Sequence, residues 1–497
     1  MNLLLRKINY KTKKIAILVL LCLIVLFGAF LRFYDLLGQL HFAGDEGRDM
    51  IIVQEIVQGE EFPTLGPPAS TGGFLLGPAY YYLMAVPVLF SPHPAAPAFM
   101  VAIFGVLTIL LLYFTGRKIA SKNVGLIAAT LYTFSFLTII HDRWSWNPNL
   151  LPFFVTLIIL CVYNIRQQQS PKARCWQAGG AYVILLGIAL GISLQLHATA
   201  WLLLPVLLIF WLIFPPRVKK ITSWIIGMVA LIVTLLPWIA YEFTHNFVNT
   251  RGVFEILKEG EARNLGERIS YVWQSFLEIN NELWFGGLLP LWLVAISIIV
   301  VSGALIWRLL VAKSKLNEAT WFMVILGFAA ILFYIVYSGE LWPHYWLLLF
   351  PVSFLGVALA ATGGWWKIKW ARLVIIALVI FMSYSGVYAY LTHFWALESG
   401  TAVGSYGVPL QDEQAVVQEI VQKDLDQIDL QIVTKDNFNE AFTYLLSQKE
   451  IDVTAEAPFQ AIIYRLCEDL DLEALIIDYE VVQRQQVGNL GFVIIRK

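Results

Sequence analysis

Four of the five residues from 45 to 49 are charged. Asp45, Glu46, Arg48 and Asp49 stand together in GDEGRDMIIVQEIVQGEEFP. A carboxylate in such a cluster can cap a helix start or serve as an exposed proton acceptor. Met50, Val53, Ile56 and Val57 follow at helical spacing, and Gly59 ends the run. The segment therefore reads as an amphipathic helix lying in the plane of a membrane surface, with Asp45 at its start. Neighbours on a helix do not face each other, so Asp45 and Glu46 are expected to have different jobs. Asp45 has two readings: a helix cap among first-turn acids that the dipole favours, or a carboxylate poised at the membrane surface.

A second polar cluster is HDRWSWNPN, residues 141–149, in a short turn between apolar runs. His141, Asp142 and Arg143 beside two tryptophans read either as an interfacial anchor closed by a salt bridge or as a phosphate and sugar site. In the second reading Arg143 is a bidentate phosphate donor and the tryptophans are a sugar platform. His197 in LQLHATA and His344 in ELWPHYWLLLFP lie near the ends of further apolar runs. Each reads as a hydrogen-bonded packing residue or as a member of the same site. Arg268 lies in a polar stretch read as solvated, so Arg143 is expected to matter more than Arg268 to phosphate binding. The glycines of LGPPASTGGFLLGP form a flexible loop and not a phosphate loop, since no GKS or GKT follows them.

The elements that must position these groups are membrane spans. The chain of 497 residues is 59% hydrophobic and only 14% charged, against roughly 25% charge in a soluble domain. Crossing a bilayer core takes about 20 apolar residues of helix. Runs of that kind begin near residues 15, 97, 123, 149, 178, 198, 222, 287, 320, 344 and 371. The expectation is a mainly α, polytopic protein of about eleven spans, since only helices satisfy their backbone in lipid this way. The first run follows Arg6, Lys7, Lys11, Lys13 and Lys14, has no small-residue cleavage site after it, and reads as an uncleaved span. Basic loops then recur on one side: Arg117, Lys118 and Lys122; Arg166, Lys172 and Arg174; Arg217, Lys219 and Lys220; Arg308, Lys313 and Lys315; Lys367, Lys369 and Arg372. That alternation sets the N-terminus in the cytoplasm. It also argues that residues 75–90 do not cross, which leaves 35–96 as one long outer loop. There the Tyr80–Tyr82 triplet suits the headgroup level.

After about residue 396 the pattern changes. A membrane domain of residues 1–395 would give way to an extracytoplasmic α+β domain of residues 396–497. That domain would have a helix over 411–425 and strands over 429–433, 474–478 and 491–495. Cys22, Cys161, Cys175 and Cys467 are scattered, which argues against a disulfide framework or a zinc site. Neither nucleic acid nor nucleotide is an indicated partner.

The first span followed by GDEGRD, the GPAYYYL segment, the WNPNLLP turn, the QLHATA helix and the HYWLLLFP span, in this order, resemble the GT-C membrane glycosyltransferases. The resemblance is to bacterial relatives of the protein O-mannosyltransferases and lipid A aminoarabinose transferases, and it runs to about residue 362. It implies inverting transfer of a hexosyl or pentosyl group from a polyprenyl-phosphate donor to an extracytoplasmic acceptor: a protein, a glycolipid or an envelope glycan. It implies Asp45 as the catalytic carboxylate with Glu46 in support, and Arg48, Arg143 and His344 near the lipid phosphate. His141, Asp142 and His197 complete the candidates. A divalent metal stays open, because no second carboxylate motif is evident.

The rival class is a flippase or transporter of a lipid-linked glycan, and a membrane scaffold is a third. Spans without mid-membrane charge weigh against transport. The chain has no N-x-Ser/Thr sequon, which favours a bacterial inner membrane over the endoplasmic reticulum.

Single cysteines at Ser70 and Ser399, in a background without native cysteines, should label with an impermeant reagent in intact cells. A cysteine at Ser121 should label only after the membrane is opened. The reverse pattern would invert the topology.

Overall fold

The structure, a computed structural model, describes residues 2–69, 73–167, 179–256, 264–311, 317–337, 339–398, 408–433, 439–466, 470–477 and 479–497. Ser70, Gly72, Lys172, Arg174, Cys175, Lys313, Lys315, Ser399 and Cys467 lie outside the described residues. Each of the eleven apolar runs coincides with a helix. Among the described residues eight helices are long and apolar enough to cross a membrane. The other three runs form shorter pieces. The run from 123 splits into Lys122–Phe134 and Phe136–His141, because Ser135 between them is extended. Gly180–Leu196 has 17 residues, and Leu203–Ile213 follows a 3₁₀ turn. The chain is a multi-pass, mainly helical membrane protein with a small sheet domain at its C-terminal end.

Three helices open in the same way. Trp146, His197 and Trp342 are extended, and a 3₁₀ turn follows each: Asn147–Leu150, Ala198–Leu202 and Pro343–Leu349. The α-helices Leu151–Gln167, Leu203–Ile213 and Phe350–Ala361 continue from them. Pro148 and Pro343 sit at the starts of two of these turns, where a missing N–H costs nothing. The turn Pro343–Leu349 touches both of the others. WNPNLLP, QLHATA and PHYWLLLFP are thus one device used three times, each bringing a helix N-terminus to the same end of the bundle.

The first loop folds over that end. Helix Gly44–Gln58 buries Met50, Val53 and Ile56. The stripe packs into protein, not lipid, which corrects the reading of a helix in the membrane plane: its neighbours are the helices Ala79–Val88 and Asn439–Ser447. Ala79–Val88 is ten residues long, too short to cross. Tyr80 and Tyr81 are buried, not at headgroup level. Their neighbours explain this: the Tyr80 hydroxyl shares a hydrogen bond of 3.0 Å with Ser145, and Tyr81 faces Arg48 and Asp49. The glycine-rich loop, read as flexible, has a paired stem, with Gly66 N–H donating to Leu76 O and Ala69 N–H to Phe74 O. Gln195 and Asn249 accept from Ala79 N–H and Leu75 N–H and pin it.

The C-terminal sheet has strands β1 (Gln427–Val433), β2 (Asp452–Val453), β3 (Phe459–Arg465), β4 (Glu480–Val487) and β5 (Leu490–Arg496), in the order β2-β1-β3-β5-β4. β1 is parallel to β2 and β3, while β5 is antiparallel to β3 and β4. The strand expected over 474–478 is instead the helix Leu472–Ile476. The Asp471 carboxylate accepts from Ala474 N–H as an N-cap, and Leu472 and Ile476, four apart, are the buried pair. A short apolar run does not by itself distinguish the two periods.

Gly47 marks where the domain meets the first loop. A Cβ there would stand 2.3 Å from the Ala441 backbone nitrogen. Gly47→Ala should therefore lower stability by about 1–3 kcal/mol, the usual cost of overpacking. It should also expose the domain to limited proteolysis. A melting temperature equal to wild type would show that the helices are not held at this approach.

Candidate active site

Helix Gly44–Gln58 begins at Ala43, whose side chain makes no cap. Glu46 does that work: its Oε2 accepts the Ala43 N–H at 2.9 Å. Asp45 is therefore not the cap, and that reading of it is corrected. The Glu46 Oε1 accepts the Trp144 indole N–H, which ties the loop helix to the turn of residues 141–149. Glu46 is buried, and burial first, then the charge of Asp45, push its carboxyl up to about 8 against the pull of these N–H donors.

Asp45 is left half-exposed, with its side chain 52% accessible. Arg48 joins it through Nη1 at 2.8 Å and reaches the buried Asp49 through Nη2 at 2.6 Å. Burial pushes the Asp49 carboxyl up to about 7, against Arg48, and its Oδ2 has no hydrogen-bond partner among the described residues.

Asp45 and Arg48 form one wall of a recess of about 150 Å³. Trp146, Asn147, His197, Thr199, His344 and Tyr345, from the three turns, form much of the rest, with Tyr337 beside them. His344 packs edge-on against Trp146 at 4.4 Å and His197 at 5.3 Å between ring centres. The His197 Nδ1 shares a hydrogen bond of 2.9 Å with Thr199 Oγ1, which fixes the ring. Trp146 stacks on Trp144 at 4.5 Å. So a flat aromatic face, two imidazoles, a guanidinium and a carboxylate share one recess. Three helix N-termini point their positive ends toward it, an arrangement that favours an anion.

The structure brings together Asp45, Arg48, His197 and His344, and keeps Glu46 directly behind them. It places three other candidates elsewhere. His141 Nδ1 bonds Asn149 at 2.8 Å, and its ring stacks on Trp144. Asp142 forms a buried ion pair with Arg32 at 2.7 Å and accepts the Tyr132 hydroxyl at 3.0 Å. Arg143 donates to the carbonyls of Leu31, Arg32, Tyr34 and Asp35, closing the end of the first helix. None of the three lines the recess. Arg268, read as solvated, is buried. Its Nε and Nη2 donate to Tyr334 O at 3.1 and 3.0 Å, and it lies over the rings of Tyr271 and Tyr337. Tyr337 lines the recess, so Arg268 stands one ring behind it. Its spacing of three from Tyr271 was the available sign that it faces inward. Among the described residues no three His, Cys, Asp or Glu side chains form a metal-binding group, and no step is assigned to a metal.

This bundle, with its first-loop helix over converging helix starts, is a GT-C glycosyltransferase fold. Residues 77–241 match the family model of dolichyl-phosphate-mannose-protein mannosyltransferases. ArnT from Cupriavidus metallidurans, in a crystal structure with undecaprenyl phosphate bound, superposes with a TM-score of 0.61 at 14% identity, over 96% of this chain and 97% of that one. The oligosaccharyltransferase of Archaeoglobus fulgidus, crystallised with zinc and sulfate, superposes with a TM-score of 0.57 at 14% identity, over 88% of this chain and 62% of that one. No curated protein matches the chain by sequence.

Arg143→Ala removes hydrogen bonds from a charged group that carries four carbonyls, each bond worth roughly 1.5–3 kcal/mol. It should lower the melting temperature sharply while leaving the lipid-phosphate affinity of the folded fraction within about twofold, as expected of a group outside the recess. A large affinity loss at unchanged stability would return Arg143 to the site.

Proposed function

We propose that the chain is an inverting glycosyltransferase that moves a sugar from a polyprenyl-phosphate donor to an acceptor outside the cytoplasm. One observation carries this reading: three helix N-termini and Arg48 surround a single recess with the Asp45 carboxylate on its wall. Groups able to bind an anion and a group able to act as a base line that one recess. An apolar groove of about 370 Å³, lined by Phe328, Ile331, Trp346 and Phe350, shares the helix Asn317–Val336 and the turn Pro343–Leu349 with the recess. An isoprenoid tail suits such a groove, and the phosphate it carries would then sit at the recess. The undecaprenyl phosphate bound to ArnT gives the same ligand chemistry to a protein of this fold.

The acceptor hydroxyl attacks the anomeric carbon from the side opposite the phosphate. The carbon–oxygen bond to phosphate breaks, the electron pair leaves with polyprenyl phosphate, and the configuration inverts. Asp45 takes the hydroxyl proton. Arg48 and the helix N-termini stabilise the growing charge on the leaving phosphate, and His344 supplies an imidazole donor. Trp146 offers its face to the sugar ring. Glu46 positions Asp45 by fixing the first turn of its helix. The residues leave the identity of the sugar open, with hexosyl and pentosyl groups alike in this chemistry.

Asp45→Asn keeps the shape of the side chain and loses the proton acceptor. Glu46, not Asp45, closes this helix start, so folding should be unaffected. Turnover should fall roughly 10²–10⁴-fold, the contribution of a general base, with lipid-phosphate binding retained. The assay is release of polyprenyl phosphate from a panel of radiolabelled lipid-linked sugars by protein in lipid. Near-normal turnover by Asp45→Asn would remove the base. Movement of intact donor between leaflets without release would show a flippase.

A further inference from the structure

The C-terminal domain grips the acidic loop at several points. Gly47 meets the backbone at Glu440 and Ala441. Leu410 N–H donates to Leu40 O at 2.8 Å, and the Tyr444 hydroxyl donates to Pro92 O at 2.8 Å. Between these anchors the helix Leu410–Val421 buries Glu413 completely, at 0% exposure. Neither carboxyl oxygen of Glu413 has a hydrogen-bond partner among the described residues. The groups that act on it are both acids: Glu46 across the interface and Asp412 on its own helix.

The elements packed on that helix, Asn439–Ser447 with β4 and β5, add Glu440, Tyr444, Glu480, Arg484 and Arg496. The two arginines pair with Glu473 and Glu480 at the surface. His41, bridged to Pro409 beside the helix start, is held neutral by burial, its imidazole pushed down to about 3. Among the described residues no donor or cation thus compensates a charge on Glu413, and burial drives such a carboxyl to its neutral form. Glu46 differs: its two oxygens receive the Ala43 and Trp144 N–H groups, which moderate the rise that burial and Asp45 impose on its carboxyl.

We infer that Glu413 is a positioning residue, a neutral carboxyl that the C-terminal domain seats against Glu46, so that the acidic loop keeps its working geometry only while Glu413 holds its proton. The inference rests on the transferase reading for activity, but not for the proton itself. Ionising Glu413 would leave an uncompensated buried charge beside Glu46 and Asp412 and push the domain off the loop. The direction with pH follows. The unfolded chain releases this proton near the ordinary value of 4.5, and the folded chain retains it well above that. Folded-state stability therefore falls as pH rises above 4.5 toward the folded value.

Glu413→Gln, in the full chain in lipid, makes the neutral form permanent. The variant should match wild type at pH 7 and fold normally. Wild type should lose melting temperature as pH rises above 4.5, and transfer rate on the alkaline side of pH 7. Glu413→Gln should hold about tenfold more of its pH 7 rate at pH 9, and its melting temperature should fall less steeply, by the loss of one linked proton. Glu413→Leu, neutral and similar in size, should behave likewise. Coincident pH profiles of wild type and Glu413→Gln would overturn the inference. So would a changed melting profile with an unchanged rate profile, since Glu413 would then serve the fold alone. Failure of both variants to fold would also overturn it, because a neutral carboxyl should be replaceable. If wild type turns over no donor, the transferase reading fails, and the melting profiles alone decide whether Glu413 is held neutral.

Discussion

The bond from the Trp144 indole to Glu46 joins the two halves of the site. On one side is a loop helix that no span holds in place. On the other is a turn fixed by the bundle, with Arg143 closing the first helix and Asp142 paired to Arg32. Glu46 spends its second oxygen on its own helix start. One carboxyl therefore sets where the helix begins and where it sits. Asp45 and Arg48 follow from that, since they lie one and two residues away on a rigid turn. Trp144 in turn stacks on Trp146, whose face opens to the recess. A displacement at Glu46 would be felt on both walls.

Because the three turns share one construction, the anion site requires few dedicated charges. Each extended residue followed by a 3₁₀ turn stops its helix short and aims the N-terminus at the recess. Helix dipoles supply partial positive charge without long side chains that must be desolvated and ordered. Arg48 is the one full positive charge on the recess wall among the described residues. It is shared between Asp45 and Asp49. A phosphate entering the recess competes with Asp45 for that guanidinium. On the transferase reading, donor binding would loosen Asp45 from Arg48 and free its carboxylate to meet the acceptor hydroxyl.

Much of this was legible in the sequence, and the exceptions share a cause. The apolar runs, the acidic loop helix and the aromatic turns all carry local patterns: a period, a composition or a turn signal. What escaped was partner choice. Arg143 and Arg48 look alike as sequence, yet one closes a helix end and the other faces a recess. Arg268, in a polar stretch, is buried because Tyr271, Tyr334 and Tyr337 from two helices surround it. Tyr80 and Tyr81 fit the headgroup level by type but are inside, because Ser145 and Asp49 offer polar partners there. Met50, Val53 and Ile56 were rightly one face of a helix, but an apolar stripe does not state whether lipid or protein covers it. In the C-terminal domain the short run near 474 followed the Asp471 cap and not its apolar content. Glu413 gave no sign at all, since its burial depends on a loop some 370 residues away.

That long separation bears on how the site is made. The spans place the three helix starts, but the acidic helix is held from above by a domain whose sequence arrives last. Gly47, with backbone pressed against it, and Glu46, with Glu413 behind it, lie on successive positions of the same turn. The domain therefore meets the two residues that follow Asp45, while Asp45 itself stands on the recess wall. A bundle with the loop undocked would keep its helix N-termini and still attract an anion, yet its carboxylate would have no fixed place. On the transferase reading, binding and turnover would in this way be divided between two parts of the chain: the membrane helices would hold the phosphate, and the docked loop would deliver the base.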